Sequence, residues 1–212
     1  MLDRDPTFSM PDGNDMMEFT RRLYEDAEGL HEEAKRRTAE CVFTAYALST
    51  HPGLLDGLAM CADYCFNANP FFSRDMFAEF VAPYLKESVA AYHELGYQVI
   101  KHTDGNIMPI IDMLVDSGAD ALHSLDPQGG VDLAQVSREW GGKIALCGNV
   151  NCGLLQTGTP EECEADVRRS LREGMARGAG YVFCTSNCAY TGLPLERYEL
   201  MNRIWREEGI YP

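Results

Sequence analysis

The sequence has no long hydrophobic run. No stretch approaches the ~20 consecutive apolar residues that a helix needs to cross a bilayer. Residues 1–17 also lack the basic and apolar regions of a signal peptide. From these two absences we expect a cytoplasmic protein without a membrane partner.

Positive charge is scarce as well. The 212 residues include 33 acidic and 18 basic side chains, which gives a formal net charge of −15. The densest basic runs, at 35–37 and 168–169, lie among glutamates, as is typical of solvated helix faces. Because this charge would repel a phosphate backbone, we expect no nucleic-acid partner and favour a small-molecule substrate.

Two motifs are absent, one of cysteine and one of glycine. The eight cysteines include no CxxC pair, so a zinc ribbon and a thioredoxin-type redox site have no support. No GxGxxG follows the first predicted strand, which disfavours a dinucleotide-binding fold. Most of the cysteines lie in apolar runs, where thiols are usually reduced and inert, and we expect Cys184 to be a core residue of this kind.

The chain, which is 45% hydrophobic, shows a regular alternation of strand and helix signals. We interpret it as one domain, 1–212, in which a helical N-terminal segment, 1–40, precedes βα units over 41–212. Apolar segments predict six strands, at 41–48, 57–66, 97–103, 119–125, 143–150 and 181–186. Helical patterns cover 14–40, 74–96, 107–118, 133–141, 161–178 and 194–209.

Repeated βα units with apolar strands imply a parallel sheet covered by helices. Because polar, chemically capable residues cluster at the C-terminal ends of several strands, an α/β fold of the (β/α)8 TIM-barrel type is favoured over a doubly wound sheet. Six units are too few to close such a barrel, so we expect an incomplete one. Its unpaired strand edges would promote association, and a homo-oligomer is therefore expected.

His102 and Asp104 stand at the end of the third predicted strand. Alternate strand residues point the same way, so the two side chains share a face, and both residue types can bind a metal. A simpler alternative is that Asp104 caps the following helix while His102 satisfies a buried backbone group. These two residues by themselves leave both interpretations open.

Several segments resemble the uroporphyrinogen decarboxylase superfamily. They are FFSRDMFAEFVAPYLK, HTDGN, DALHSLDPQGGVDL, GNVN with TGTPEE after it, and GYVFCTSNCAYTGLPLE. These segments have the family's order and spacing from about residue 57 to the end, and they correspond to the C-terminal two-thirds of a (β/α)8 barrel. The resemblance therefore implies that the chain is truncated at its N-terminus.

The superfamily has two branches, and the sequence is more similar to one of them. The decarboxylases carry an arginine-rich N-terminal segment and a histidine in the last strand's loop, where this sequence has Cys188. The corrinoid-linked methyltransferases bind zinc through His-x-Cys on one strand and a distant cysteine. The resemblance thus implies a catalytic metal site formed by His102, Asp104 and Cys188. Asp104 replaces a cysteine in this set, which makes the site harder and allows another divalent metal.

Further residues near strand ends are expected to bind substrate at the barrel mouth: Asp63, Tyr64, Asp126, Asn149 and Tyr190. Asp63 and Asp126 follow strands directly, although aspartates at such positions often only cap helices. His123 is expected to lie against a helix.

The first functional hypothesis is a metal-dependent methyltransferase or demethylase. Its cofactors would be zinc, or another divalent metal, and a corrinoid carried by a partner protein. It would act on a thiol or another small methyl acceptor. The alternatives are uroporphyrinogen III decarboxylation in porphyrin biosynthesis, which needs no cofactor, and a non-catalytic fragment.

Overall fold

Short parallel strands in chain order organise the fold. A computed structural model describes residues 2–176 and 180–211; the predicted end of one helix, at 177–178, lies outside them. The strands are β1 (Leu2–Asp3), β2 (Gly57–Cys61), β3 (Gln98–His102), β4 (Ala121–His123), β5 (Ala145–Val150) and β6 (Tyr181–Thr185). Each strand pairs in parallel with the next, so the described sheet has edges at β1 and β6 and does not close. The predicted class, an incomplete six-stranded α/β barrel, is confirmed.

Helices fill the connections between successive strands, as parallel pairing requires. They are α1 (Met16–Glu25), α2 (Ala27–Ser49), α3 (Arg74–Phe80), α4 (Ala82–Glu94), α5 (Ile111–Asp116), α6 (Leu133–Trp140), α7 (Cys152–Thr157), α8 (Pro160–Gly174) and α9 (Leu195–Glu208). A short 3-10 turn at Met108–Ile110 leads into α5. Apart from α7, each of these helices coincides with a segment in which the sequence pattern predicts a helix, or begins in such a segment.

The predicted strand over 41–48 is wrong, because α2 continues through it to Ser49. Ala45 is fully buried, whereas Phe43 and Tyr46 are 71% and 58% exposed, a distribution that follows a helical face rather than a strand. A short apolar run cannot by itself separate the two structures, and an established helix extends readily when no breaker intervenes. The sixth strand is instead Leu2–Asp3, which pairs with β2.

Helix starts follow their sequence signals. Ser73 caps α3 by accepting from the Met76 N–H at 3.2 Å. Thr159 and Glu162 form a reciprocal capping box at the start of α8. An N-cap side chain of this kind stabilises the protein by about 1 kcal/mol relative to alanine. The single helix predicted over 74–96 is divided at Val81 into α3 and α4.

The strand register aligns one row of side chains across the sheet. Cys61 pairs with His102, His102 with His123, His123 with Cys147, and Cys147 with Val182. Paired residues of parallel strands point to the same face. We call these five residues the inner row. Val182, on the edge strand β6, is 53% exposed because the described sheet has no further strand beside it.

Hydrophobic side chains on helices cover the other face of the sheet in two clusters. The larger includes Leu58 and Val99 of the strands and Leu85 of α4, and the smaller includes Val150 of β5 and Val167 of α8. Among residues 2–176 and 180–211, every helix is too short or too polar to cross a membrane.

Candidate functional site

The candidate site lies where β2 and β3 end. Cys61 and His102 are register partners at the last positions of these strands. Because the strands are parallel, the residues that follow them, Asp63 and Asp104, leave the sheet at the same edge. This is the carboxyl edge, where barrel enzymes place their catalytic residues.

One imidazole and two carboxylates converge at this edge. His102 Nε2 lies 3.8 Å from Asp63 Oδ1 and 3.7 Å from Asp104 Oδ1. Asp63, His102 and Asp104 each offer a ligand atom within 4.8 Å of the others, and no other such group of three occurs in the part of the chain that the structure describes. We call these three residues the site cluster.

Asp104 is held so that one carboxylate oxygen stays free. Its N–H donates to Asp63 Oδ1 at 3.0 Å, and its Oδ2 accepts from Asn187 Nδ2 at 2.6 Å. Its Oδ1 is buried and, among the described residues, has no hydrogen-bond partner. The carboxylate does not cap the next helical turn either, since the N-cap residue there is Ile107, with no side-chain cap.

An unpartnered, buried carboxylate oxygen is costly unless a cation or donor satisfies it. Asp104 Oδ1 faces His102 Nε2, and both atoms are accepted ligands of zinc. Asp63 and Asp104 make the donor set richer in oxygen than a His-Cys-Cys set, so manganese or another hard divalent metal also fits. The site cluster therefore fits a divalent metal.

Cys188 lies beside the site cluster but is not one of its members. It sits in the loop after β6, its thiol is exposed, and its N–H donates to Asn187 Oδ1 at 2.7 Å. The same Asn187 side chain bonds Asp104, so this one amide fastens the loop to the site. The structure thus brings His102 and Asp104 together as predicted and adds Asp63, whereas Cys188 as a ligand stays a prediction.

His102 contacts a second imidazole from the inner row. Its Nδ1 lies 2.7 Å from His123 Nδ1, and the ring centroids are 4.9 Å apart. The prediction that His123 lies against a helix is therefore wrong, because its register places it beside His102 on the inner face. Burial lowers the pKa of His123, and positive charge on His102 lowers it further.

Asp126 lies close to the site cluster. Its Oδ1 accepts from the Gln128 N–H at 2.9 Å. Burial raises the pKa of its carboxyl group, the negative charge of Asp104 raises it further, and backbone N–H groups oppose the shift. The two loops pack tightly here, since a Cβ on Gly129 would lie 2.5 Å from the Gly105 carbonyl carbon, so glycine is needed.

Tyr64 is not at the mouth. Its side chain is fully buried, its hydroxyl lies 2.6 Å from Thr7 Oγ1, and its ring packs edge-on against Phe77. The prediction that it walls a substrate pocket does not fit this position, because the aromatic ring is enclosed by the core.

Asn149 and Tyr190 are also directed elsewhere. Asn149 is fully buried, and its Oδ1 accepts from Arg169 Nη2 of α8 at 2.8 Å, so its amide braces a helix. Tyr190 is 40% exposed and donates to Gln156 Oε1 at 2.8 Å. A substrate contact by either residue remains a prediction.

The sequence does not predict two residues at this site: Asn187, and His123, which is expected against a helix instead. A loop asparagine carries no metal signal, and Asn187 meets Asp104 across 83 positions of sequence. The position of His123 follows from the register of β3 and β4, for which the sequence of either strand alone has no signal.

Comparison with known proteins identifies the family. The family profile described as Uroporphyrinogen decarboxylase (URO-D) matches residues 13–207. The chain belongs to the uroporphyrinogen decarboxylase family. The resemblance inferred from the sequence motifs is thereby confirmed.

Two curated relatives from this family illustrate the extent of similarity. Uroporphyrinogen decarboxylase of Mannheimia succiniciproducens is 31% identical over 123 residues, which are 53% of this chain and 33% of the relative. That of Shewanella loihica is 33% identical over 93 residues, which are 39% and 25% of the two chains. This chain therefore matches a third or less of the length of these relatives.

A solved structure, described as a methyltransferase from Methanosarcina mazei, has the same fold. It superimposes with a TM-score of 0.72 at 19% identity, and the match covers 92% of this chain and 54% of that protein. The likeness establishes the architecture. The match spans about half of the neighbour's length.

Proposed function

We propose that this member of the uroporphyrinogen decarboxylase family is a metal-dependent methyltransferase or demethylase. It would bind zinc or another divalent metal, and it would work with a corrinoid protein and a thiol or other small methyl acceptor. One observation carries the proposal: His102 Nε2 faces Oδ1 of Asp104 at the carboxyl edge of the sheet, with Asp63 Oδ1 beside them, and this Asp104 oxygen has no hydrogen-bond partner among the described residues.

Asp63, His102 and Asp104 would hold the metal. Three protein ligands are typical of catalytic zinc sites, which keep a further position for water or substrate. A free thiol has a pKa of ~8.5 and is mostly protonated at neutral pH. When bound, zinc would lower the pKa of a thiol ligand and so favour the nucleophilic thiolate.

The protein's own contribution is to fix the ligands before substrate arrives. Asn187 holds Oδ2 of Asp104 and leaves Oδ1 directed at His102. The backbone N–H of Asp104 holds Asp63 in turn. Because these contacts set the carboxylates in place, little ordering of side chains remains when a metal and a thiol bind.

Uroporphyrinogen decarboxylation is the second candidate, favoured by the names of the relatives in the family. The charge at the site argues against it. Asp63 and Asp104 form no ion pair with lysine or arginine within residues 2–176 and 180–211. A substrate that carries several carboxylates would meet repulsion there. A non-catalytic fragment is the third candidate, since the chain spans only part of its relatives.

The test measures metal content and methyl transfer on the same protein. Wild type should bind one zinc ion per chain and, with a thiol, should consume methylcobalamin in a reaction followed by absorbance. His102→Ala should lose both properties together. His93→Ala is the matched control, because His93 pairs with Asp120 away from the site cluster and its loss should affect neither.

Two results would decide against the proposal. The first is wild-type protein that binds no stoichiometric metal under conditions where it is folded. The second is formation of coproporphyrinogen from uroporphyrinogen above a heat-killed control, which would select the decarboxylase.

A further inference from the structure

The two inner-row histidines share a hydrogen bond on the side of His102 opposite the site cluster. His102 Nδ1 and His123 Nδ1 lie 2.7 Å apart. At this distance one nitrogen must carry a hydrogen and the other must offer a lone pair. The direction of this bond therefore fixes which ring nitrogen of each histidine is protonated.

The outer nitrogen of His102 faces acceptors. His102 Nε2 lies 3.8 Å from Asp63 Oδ1 and 3.7 Å from Asp104 Oδ1. Its Nδ1 faces His123 Nδ1 on the other side of the ring. A neutral imidazole carries one hydrogen, so His102 can direct a hydrogen to the carboxylates or to His123, but not to both.

A metal ion on His102 Nε2 would decide between the two. His102 would then carry its hydrogen on Nδ1 and donate to Nδ1 of His123, whose own hydrogen would lie on Nε2. We propose that His123 is a positioning residue that fixes the metal-binding tautomer of His102. The inference rests on the proposed metal site, and it adds a ligand-orienting partner of the kind that supports histidine ligands in metal sites.

Without a cation the bond should run the other way. His102 Nε2–H is then directed at the two carboxylates, so Nδ1 of His102 accepts from Nδ1–H of His123. Metal binding would therefore reverse one hydrogen bond and move the hydrogen of His123 from Nδ1 to Nε2. The reversal is a property of the ring nitrogens and is measurable without any catalytic assay.

The first test measures zinc affinity of the full chain by competition with a chromophoric chelator. His123→Phe keeps a ring but removes the acceptor, so affinity should fall about 10- to 100-fold. His123→Gln should recover part of the loss, because its side-chain carbonyl can accept from His102. His93→Phe is the control, since that histidine bonds Asp120 instead, and should bind zinc as wild type does.

The second test uses wild-type protein alone, so it holds even if a variant fails to fold. Nitrogen NMR of the zinc-loaded chain should show His123 protonated at Nε2 and His102 at Nδ1, with His123 protonated at Nδ1 in the zinc-free chain. Zinc-loaded His123 with its hydrogen on Nδ1, or a His123→Phe variant of unchanged affinity, would overturn this inference and leave the metal site standing. Wild type that binds no zinc would overturn both.

Discussion

The ammonium group of Lys101 lies 2.6 Å from Asp5 Oδ2, and both side chains are buried, at 0% and 2% exposure. Lys101 also donates to the Ala62 carbonyl at 3.1 Å and lies 4.2 Å from the centre of the Tyr64 ring. The pair joins the segment after β1 to β3, one residue before His102. Because the two charges are removed from water, each depends on the other.

Lys101→Met should therefore lower the free energy of unfolding by about 3–5 kcal/mol, since it leaves the carboxylate of Asp5 buried and unpaired. Urea denaturation measures the loss. Combining Lys101→Met with Asp5→Leu should recover much of it, because neither charge then remains. Arg74→Met is the control, as its pair with Asp112 is exposed and should contribute less than ~1 kcal/mol. An equal cost for Lys101→Met and Arg74→Met would contradict the prediction.

The identity of the third metal ligand is testable by three substitutions. Asp63→Asn should weaken zinc binding by at least about 10-fold, because the variant loses a charged ligand of the site cluster. Cys188→Ser should leave zinc affinity nearly unchanged, since the thiol lies outside the site cluster. Asp104→Cys should bind zinc with the same or higher affinity than wild type. Isothermal titration with zinc gives all three values. The reverse order for Asp63→Asn and Cys188→Ser would restore the ligand set of His102, Asp104 and Cys188.

Thiol reactivity should separate the cysteines sharply. Burial raises the pKa of Cys184 to about 11 and that of Cys147 to about 12, whereas Cys188 is exposed. A thiol of pKa 11 is only roughly one-thousandth thiolate at pH 8, and the thiolate is the reactive form. Timed iodoacetamide labelling of native protein with peptide mass spectrometry should modify Cys188 well before the other two. Labelling of Cys147 as fast as Cys188 would argue against the burial described here.

The open edge of the sheet should cause self-association. Val182 of the inner row is 53% exposed on the edge strand β6, and an unpaired strand edge invites pairing with another chain. Sedimentation velocity should show concentration-dependent oligomers, and Val182→Lys should reduce them because a charge opposes edge pairing. A clean monomer at all concentrations, with a cooperative thermal melt, would refute this prediction.

Five of the six strands were predictable from the sequence, because the signals that mark them are local. Buried parallel strands such as β3 and β5 are short apolar runs bounded by glycine and polar residues, and the helices between them begin at capping residues such as Thr159. The sixth, Leu2–Asp3, has two residues and no periodicity of its own. It is a strand because β2 pairs with it, and the apolar run at 41–48 is helical because α2 extends through it.

The part of the site that depends on neighbouring positions is predictable from the sequence alone. His102 and Asp104 share a face because strand side chains alternate, and that rule needs no tertiary information. Asp63, Asn187 and His123 come to the same place only through the parallel register of separate strands and the fold of the last loop. These contacts join distant positions and depend on how whole elements pair, so they do not follow from the periodicity that each element carries in its own sequence.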